Sequence, residues 1–160
     1  MDLKIWDLEC VKSNNVEIVK TLLKDLRIDI SQEMLEAASD LKTCEILSIL
    51  LSAKSRINPQ VINAGLRHAI WIAKNPTAVE EFIKHNIHPK NVWGTTMYYG
   101  ILINCLPDPE VMKALLKSDK IEIDVVMINS MISKNKDVAE LMTQHKSFTG
   151  DKLELLGPGG

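Results

Sequence analysis

The apolar residues of this chain recur in a short phrase that appears five times along the sequence. In each copy a polar residue precedes an apolar pair, and further apolar residues follow about one helical turn later. The copies occupy residues 17–23, 45–51, 77–83, 110–116 and 137–142. This spacing places the apolar side chains on one stripe of an α-helix, and such a stripe must be covered by another element. Each phrase therefore predicts a helix that packs on a neighbour.

A second recurring phrase lies between these copies and contains an isoleucine next to a polar or basic residue. Its copies are Arg27-Ile28, Arg56-Ile57, Asn86-Ile87 and Lys120-Ile121. We expect each to be an extended loop with its isoleucine inward, followed by a new helix that a residue such as Ser31, Asn58 or Asp124 caps. Small residues in these helices, Ala37-Ala38 and Ala64-Gly65, allow close packing. The sequence thus predicts a repeating unit of an A helix, a turn, a B helix and a loop.

Residues 15–23 and 27–30 resemble the second helix and the following loop of an ankyrin repeat, and the likeness extends over residues 3–146. The pattern is also similar to the degenerate ankyrin-like repeats that follow nucleotide-binding domains in some fungal immune-type receptors. The resemblance implies an all-α solenoid of about five stacked helix-turn-helix repeats, whose copies here recur every 26 to 33 residues. The Thr-Pro-Leu-His start of the A helix and the glycine that closes the B helix are absent, so we expect short or absent β-hairpin fingers.

The repeats continue without an evident linker, so residues 1–150 are predicted to form a single ankyrin-like repeat domain. Residues 151–160 end in Gly157-Pro158-Gly159-Gly160 and are predicted to be a disordered C-terminal tail.

Charge and cysteine content narrow the class of protein further. A formal net charge of −2 argues against a nucleic-acid-binding protein, because phosphate binding needs a concentrated basic face. The three scattered cysteines suggest reduced thiols, and no apolar run approaches the roughly 20 residues of a membrane span. We expect a cytoplasmic protein, with the nucleus as the alternative, that is a monomer or a weak homodimer and binds no membrane.

The chain has few residues in patterns typical of catalysis or metal binding. Glu81 and His85 lie one helical turn apart, but no third ligand has a recognisable spacing, and a solvated helix end explains them better than a metal site does. The cysteines have no signature that pairs them with His68 or His145, and no glycine-rich loop could hold a phosphate. We therefore predict a protein that is not an enzyme and needs no cofactor.

Partner recognition is the function that the resemblance implies, on the face formed by the A helices and the loops. Large aromatic residues dominate binding hot spots, so Trp93, Tyr98 and Tyr99 are candidate anchors, while Trp71 is interpreted as a core residue. Arg27, Arg56 and His88 in the inter-repeat loops complete the candidate partner-binding set. The sequence predicts a protein–protein interaction module or adaptor. The resemblance to immune-type receptors implies a role in host–pathogen interaction. The alternative is a small acidic effector or inhibitor that blocks an enzyme or a nucleic-acid-binding site by mimicry.

Overall fold

A computed structural model of the chain describes residues 3–88 and 107–149, with side chains from Asp7 onward. Within these ranges the regular structure is entirely helical and contains no strand, which confirms the all-α prediction. Trp93, Tyr98, Tyr99 and the predicted tail lie outside the described residues. The chain divides into two compact units, Met1–Asn86 and Ile87–Gly160, and the single domain over residues 1–150 stays a prediction.

The first unit contains six α-helices, a short 3-10 helix and a π-helical segment. The α-helices are α1 Leu3–Lys12, α2 Val16–Leu23, α3 Gln32–Ser39, α4 Glu45–Ser52, α5 Pro59–Arg67 and α6 Pro76–Lys84. The 3-10 helix is Lys54–Arg56, and the π segment His68–Ile72 continues α5. In the second unit the described helices are α7 Pro109–Leu115, α8 Val125–Lys134 and α9 Lys136–Thr143.

The helices of the first unit lie in two layers. The A helices α1, α3 and α5 contact one another in sequence, and so do the B helices α2, α4 and α6. The layers meet where α1 contacts α2, α3 contacts α4, and the π segment contacts α6. In the second unit α9 contacts both α7 and α8. All five apolar phrases form helices, namely α2, α4, α6, α7 and α9, and the first three of these are the B helices of the first unit.

Burial along the B helices depends on their place in the layer. In α4, between α2 and α6, Ile46, Leu47, Leu50 and Leu51 are each 0 % exposed. In α2, Val19 alone is buried, and Ile18 is 44 % exposed. The apolar stripe is the same in both helices, but α4 has a helical neighbour on each side, whereas α2 contacts α4 alone within its layer. The apolar stripe therefore predicts the position of a helix along the chain, but the burial of that helix depends on its neighbours.

The loops after the B helices have the predicted inward isoleucines. Ile28, Ile57, Ile87 and Ile121 are all buried. Ser31, Asn58 and Asp124 each accept a hydrogen bond from a backbone N–H group at the start of the next helix, as predicted. Asn86 has a φ of 62°, so an asparagine takes the left-handed conformation that usually favours glycine after a helix. These contacts fix where each helix begins and ends.

Candidate recognition groove

An open groove of about 470 Å³ lies on the A-helix layer of the first unit, between α3 and α5 with its π segment. Its lining residues are Gln32, Glu36, Ala64, Arg67, His68, Trp71 and Ile72. Residues four apart share a helix face, which explains why Gln32 and Glu36 line one wall and Ala64, His68 and Ile72 line the other. We call this concavity the α3–α5 groove.

The helices on either side of the α3–α5 groove approach closely because position 65 is a glycine. A Cβ atom at Gly65 would lie 3.1 Å from Leu35 Cβ, which is tighter than ordinary van der Waals contact, and 3.4 Å from Phe82 Cζ. Gly65 therefore lets α5 pack directly on α3 and α6, as the small residues of the sequence predicted. The floor of the groove is consequently part of the packed core.

The π segment determines what the α3–α5 groove presents to solvent. Its defining bond runs from the N–H group of Ala73 to the carbonyl of His68, over 2.8 Å. Ala69 and Ile70 point into the core, Trp71 is partly buried, and Ile72 is 70 % exposed. The chain then turns at Lys74, whose φ is 49°. Single π turns are common at functional sites, and here the turn places a large aliphatic side chain on the rim.

The two carboxylates near the α3–α5 groove are engaged by protein donors. Gln32 Nε2 donates a hydrogen bond of 2.9 Å to Glu36 Oε1 within α3. His68 Nε2 lies 2.8 Å from Asp40 Oδ1, which links the π segment to the end of α3. Asn75 strengthens the same junction, because its amide donates to the carbonyl of Ser39 over 2.9 Å. The groove walls are thus joined by polar contacts as well as by packing.

Arg67 differs from these polar neighbours. Its Nε atom is buried in the wall of the α3–α5 groove and has no hydrogen-bond acceptor among the protein atoms. Buried N–H groups in folded proteins are nearly always hydrogen-bonded, so a buried guanidinium N–H without an acceptor needs an explanation. The groove therefore combines aliphatic, aromatic and cationic groups in one concavity.

None of the predicted partner-binding residues that the structure describes lies in the α3–α5 groove. Arg27 is exposed and forms a 2.7 Å ion pair with Asp25 in its own loop. Arg56 donates to the carbonyls of Leu23, Asp25 and Ile28 over 2.9 to 3.1 Å. His88 is buried, and its Nδ1 contacts the hydroxyl of Ser118. The polar groups of all three residues are engaged within the chain.

Sequence reasoning did not identify Arg67 and Ile72, and it interpreted Trp71 as a core residue. Trp71 is partly buried and lines the groove. One signal was available: the apolar run over residues 69–73 is longer than the inward stripe of a single helix. Such a run forces at least one large apolar side chain outward. The run could not show that a π turn would place that side chain beside Arg67.

The cysteine and histidine side chains of the described residues show no arrangement typical of catalysis. Cys10 and Cys44 are free thiols, and partial burial raises the pKa of each, with nearby carboxylates adding to the effect. A raised thiol pKa disfavours the thiolate nucleophile. His85 Nε2 lies 3.8 Å from Glu81 Oε2 and 3.2 Å from Ser48 Oγ. Within residues 3–88 and 107–149 no group of three or more potential ligands could hold a metal ion.

Two smaller concavities have different chemistry. One, of about 310 Å³, is lined by residues that include Asp7, Asp29 and Glu33. The other, of about 250 Å³, lies in the second unit beside Lys113, Leu116 and Leu141. Neither is lined by a Trp, Tyr or Phe residue. In the part of the chain that the structure describes, no helix has the length and apolar content needed to cross a membrane.

Comparisons of the chain with protein-family models, with curated proteins and with solved structures found no match.

Proposed function

We propose that the chain is a protein–protein interaction module that docks a segment of a partner protein in the α3–α5 groove. The proposal includes an ankyrin-like solenoid as the scaffold, in which A helices form the recognition layer. The two helical layers of the first unit support this arrangement. Stacked helix pairs form extended rigid surfaces, and such surfaces bind partners with little rearrangement.

The observation that carries the proposal is the position of Ile72. Its side chain is 70 % exposed at the rim of a concavity that Trp71 also lines. Isolated exposed aliphatic residues are common on protein surfaces, but this one borders a concave site with an aromatic residue and an arginine. Aromatic and arginine side chains in pockets are the usual anchors of protein interfaces.

The test uses a crosslinking amino acid at position 72 of the full chain to identify the partner in the native source. The affinity of the purified partner is then measured by calorimetry for the unmodified chain, Ile72→Glu and Leu26→Glu. Leu26 is a matched control, because it is 79 % exposed and lies in a loop outside the α3–α5 groove. We expect Ile72→Glu to weaken binding by about tenfold or more and Leu26→Glu to change it less than about twofold.

Equal affinities for the unmodified chain and Ile72→Glu would contradict the proposal. Both variants should keep their thermal stability, because surface substitutions usually change unfolding free energies by less than about 0.5 kcal/mol. A loss of helicity in Ile72→Glu would be followed by the milder Ile72→Ser, with the same expectation for binding.

An acidic blocker that acts by mimicry is the second candidate. The carboxylates Asp7, Asp29 and Glu33 around one concavity favour it. Asp7, however, is only 3 % exposed, so it adds little to the field that a partner meets. Steep weakening of partner binding with salt, together with loss of binding in Asp29→Asn/Glu33→Gln, would support this candidate over the groove.

A further inference from the structure

The chemistry of the α3–α5 groove restricts the class of segment that it can bind. Arg67 is the source of this restriction, because its buried Nε–H group has no acceptor in the protein. Because Arg67 also lines the groove, a ligand oxygen that reaches its guanidinium supplies an acceptor that the protein lacks. The planar guanidinium fits a carboxylate in two parallel hydrogen bonds, a geometry that a neutral acceptor does not reproduce.

Among the described residues, the two nearby carboxylates, Glu36 and Asp40, do not fill this role. Glu36 accepts a hydrogen bond from Gln32, and Asp40 pairs with His68. In the described part of the chain, neither forms an ion pair with Arg67. Glu36 keeps its negative charge, because the donor that it accepts from is a neutral amide, but neither carboxylate is an acceptor for Arg67. The guanidinium therefore remains available to an anionic group of a ligand.

The apolar part of the α3–α5 groove lies next to Arg67. Trp71 follows Arg67 by four residues, about one helical turn, which corresponds to a Cβ separation of roughly 5–6 Å. Ile72 lines the same groove. Ala64 precedes Arg67 by three residues and contributes only a methyl group to the lining of the groove. A ligand that fills the groove needs an aliphatic group about one side chain's length from its anionic group.

We propose that the α3–α5 groove binds an acidic–aliphatic peptide segment, in which an Asp or Glu carboxylate pairs with Arg67 and a neighbouring aliphatic side chain rests on Trp71 and Ile72. This inference rests on the proposed function and names the chemistry of the partner segment. The partner is a protein, and neither a second copy of this chain nor a nucleic acid is required.

The test is an NMR titration of the full chain with three small probes of matched shape: 4-methylpentanoate, 4-methylpentanamide and 3-methylbutylamine. The signals of the Arg67 Nε–H group and the Trp71 indole report on the groove. We expect 4-methylpentanoate to shift both signals and to bind about tenfold more tightly than the amide, since charge-assisted pairs are the stronger ones. The amine should bind more weakly than the amide.

Variants at two arginines separate the groove from general surface charge. Arg67→Gln should abolish the preference for the carboxylate, and Arg67→Lys should retain part of it because the charge remains without the planar fork. Arg27→Gln is the matched control, since Arg27 is an exposed arginine outside the α3–α5 groove. It should leave the titration unchanged. A preference for the amide or the amine, equal binding of all three probes, or no binding at all would overturn the inference.

The outcome can be distinguished from that of the proposed function. If partner binding depends on Ile72 but Arg67→Gln leaves it unchanged, the groove binds a partner of other chemistry and only this inference fails. If the carboxylate probe binds as expected but no partner depends on Ile72, the proposed function fails. Sedimentation that reveals an Ile72-dependent dimer would assign the groove to a second copy and overturn the inference.

Discussion

The loops that follow α2 and α4 occupy equivalent places in two successive repeats but use the same residue pair differently. Both contain Arg-Ile, and both isoleucines, Ile28 and Ile57, are buried. The side chain of Arg27 is 87 % exposed and pairs with Asp25 in its own loop. The side chain of Arg56 instead reaches back to three backbone carbonyls of the preceding loop.

This difference shows how the loops are joined without β-hairpin fingers. Carbonyls at the end of a B helix lack partners within the helix, and a side chain from a neighbouring loop supplies the donor. Lys54 Nζ donates to the carbonyl of His85 in the same way. In the second unit, His145 Nε2 lies 2.8 Å from the carbonyl of Ser118. Hydrogen bonds from a side chain to the backbone of a neighbouring loop thus occur in both units. Arg27 differs, because its side chain pairs with Asp25 in its own loop.

The largest effect is expected when the inward isoleucines are truncated. Ile57→Ala and Ile28→Ala should each reduce the free energy of unfolding by about 2–5 kcal/mol, because both side chains are buried and leave a cavity. Chemical denaturation monitored by circular dichroism measures the change. Similar losses at the two positions would show that both loops are anchored by their isoleucine to the same extent. The difference between the loops would then be confined to their arginines. A loss of stability at only one of the two positions would contradict the equivalence of the two loops.

The next effect concerns Arg56. Arg56→Met keeps much of the aliphatic stem but removes the donors to three carbonyls, so unfolding should become easier by about 1–3 kcal/mol. Arg56→Lys keeps the charge and should recover only part of the loss. The same denaturation experiment measures both variants. A stability unchanged by Arg56→Met would mean that water replaces the guanidinium at no cost.

A smaller effect is expected at Arg27. Arg27→Met removes an exposed pair with Asp25, and exposed ion pairs contribute little to stability because water screens them. The change in unfolding free energy should therefore fall below that of Arg56→Met, measured under the same conditions. Equal losses of unfolding free energy in Arg27→Met and Arg56→Met would contradict this prediction. The two arginines would then be equivalent in stability, as they are in sequence, despite their different contacts.

The smallest effect is a pH dependence confined to the loop after α2. Hydrogen bonds from the side chain and the backbone N–H of Arg27 lower the pKa of Asp25 from 3.8 to about 2. Because the folded state lowers this pKa, the contribution to stability is present above pH 3.8 and is lost as the pH falls through about 2. NMR titration of the Asp25 carboxyl should show its pKa rising in Arg27→Met. Arg56→Met should move it less, since Arg56 acts on Asp25 only through its charge.

The helices and their caps could be predicted from the sequence because they depend on local spacing. Ser31, Asn58 and Asp124 cap helices as their positions predicted. The role of Arg56 could not be predicted, because its acceptors lie 28 to 33 residues earlier in the chain. The α3–α5 groove likewise depends on how two A helices approach and on a π turn, neither of which follows from the apolar spacing.

The π segment also gives the chain a place where its length can vary. A π turn contains about one residue more than an α turn, so removing one residue between His68 and Ile72 would restore ordinary α-helical hydrogen bonding. Because a π turn takes up its extra residue locally, side chains beyond the deletion would keep nearly their present orientation. Removing Trp71 would then take the aromatic side chain out of the α3–α5 groove while Leu66 and Gly65 kept their places in the core. A change of one residue could thus alter what this surface selects without rebuilding the scaffold beneath it.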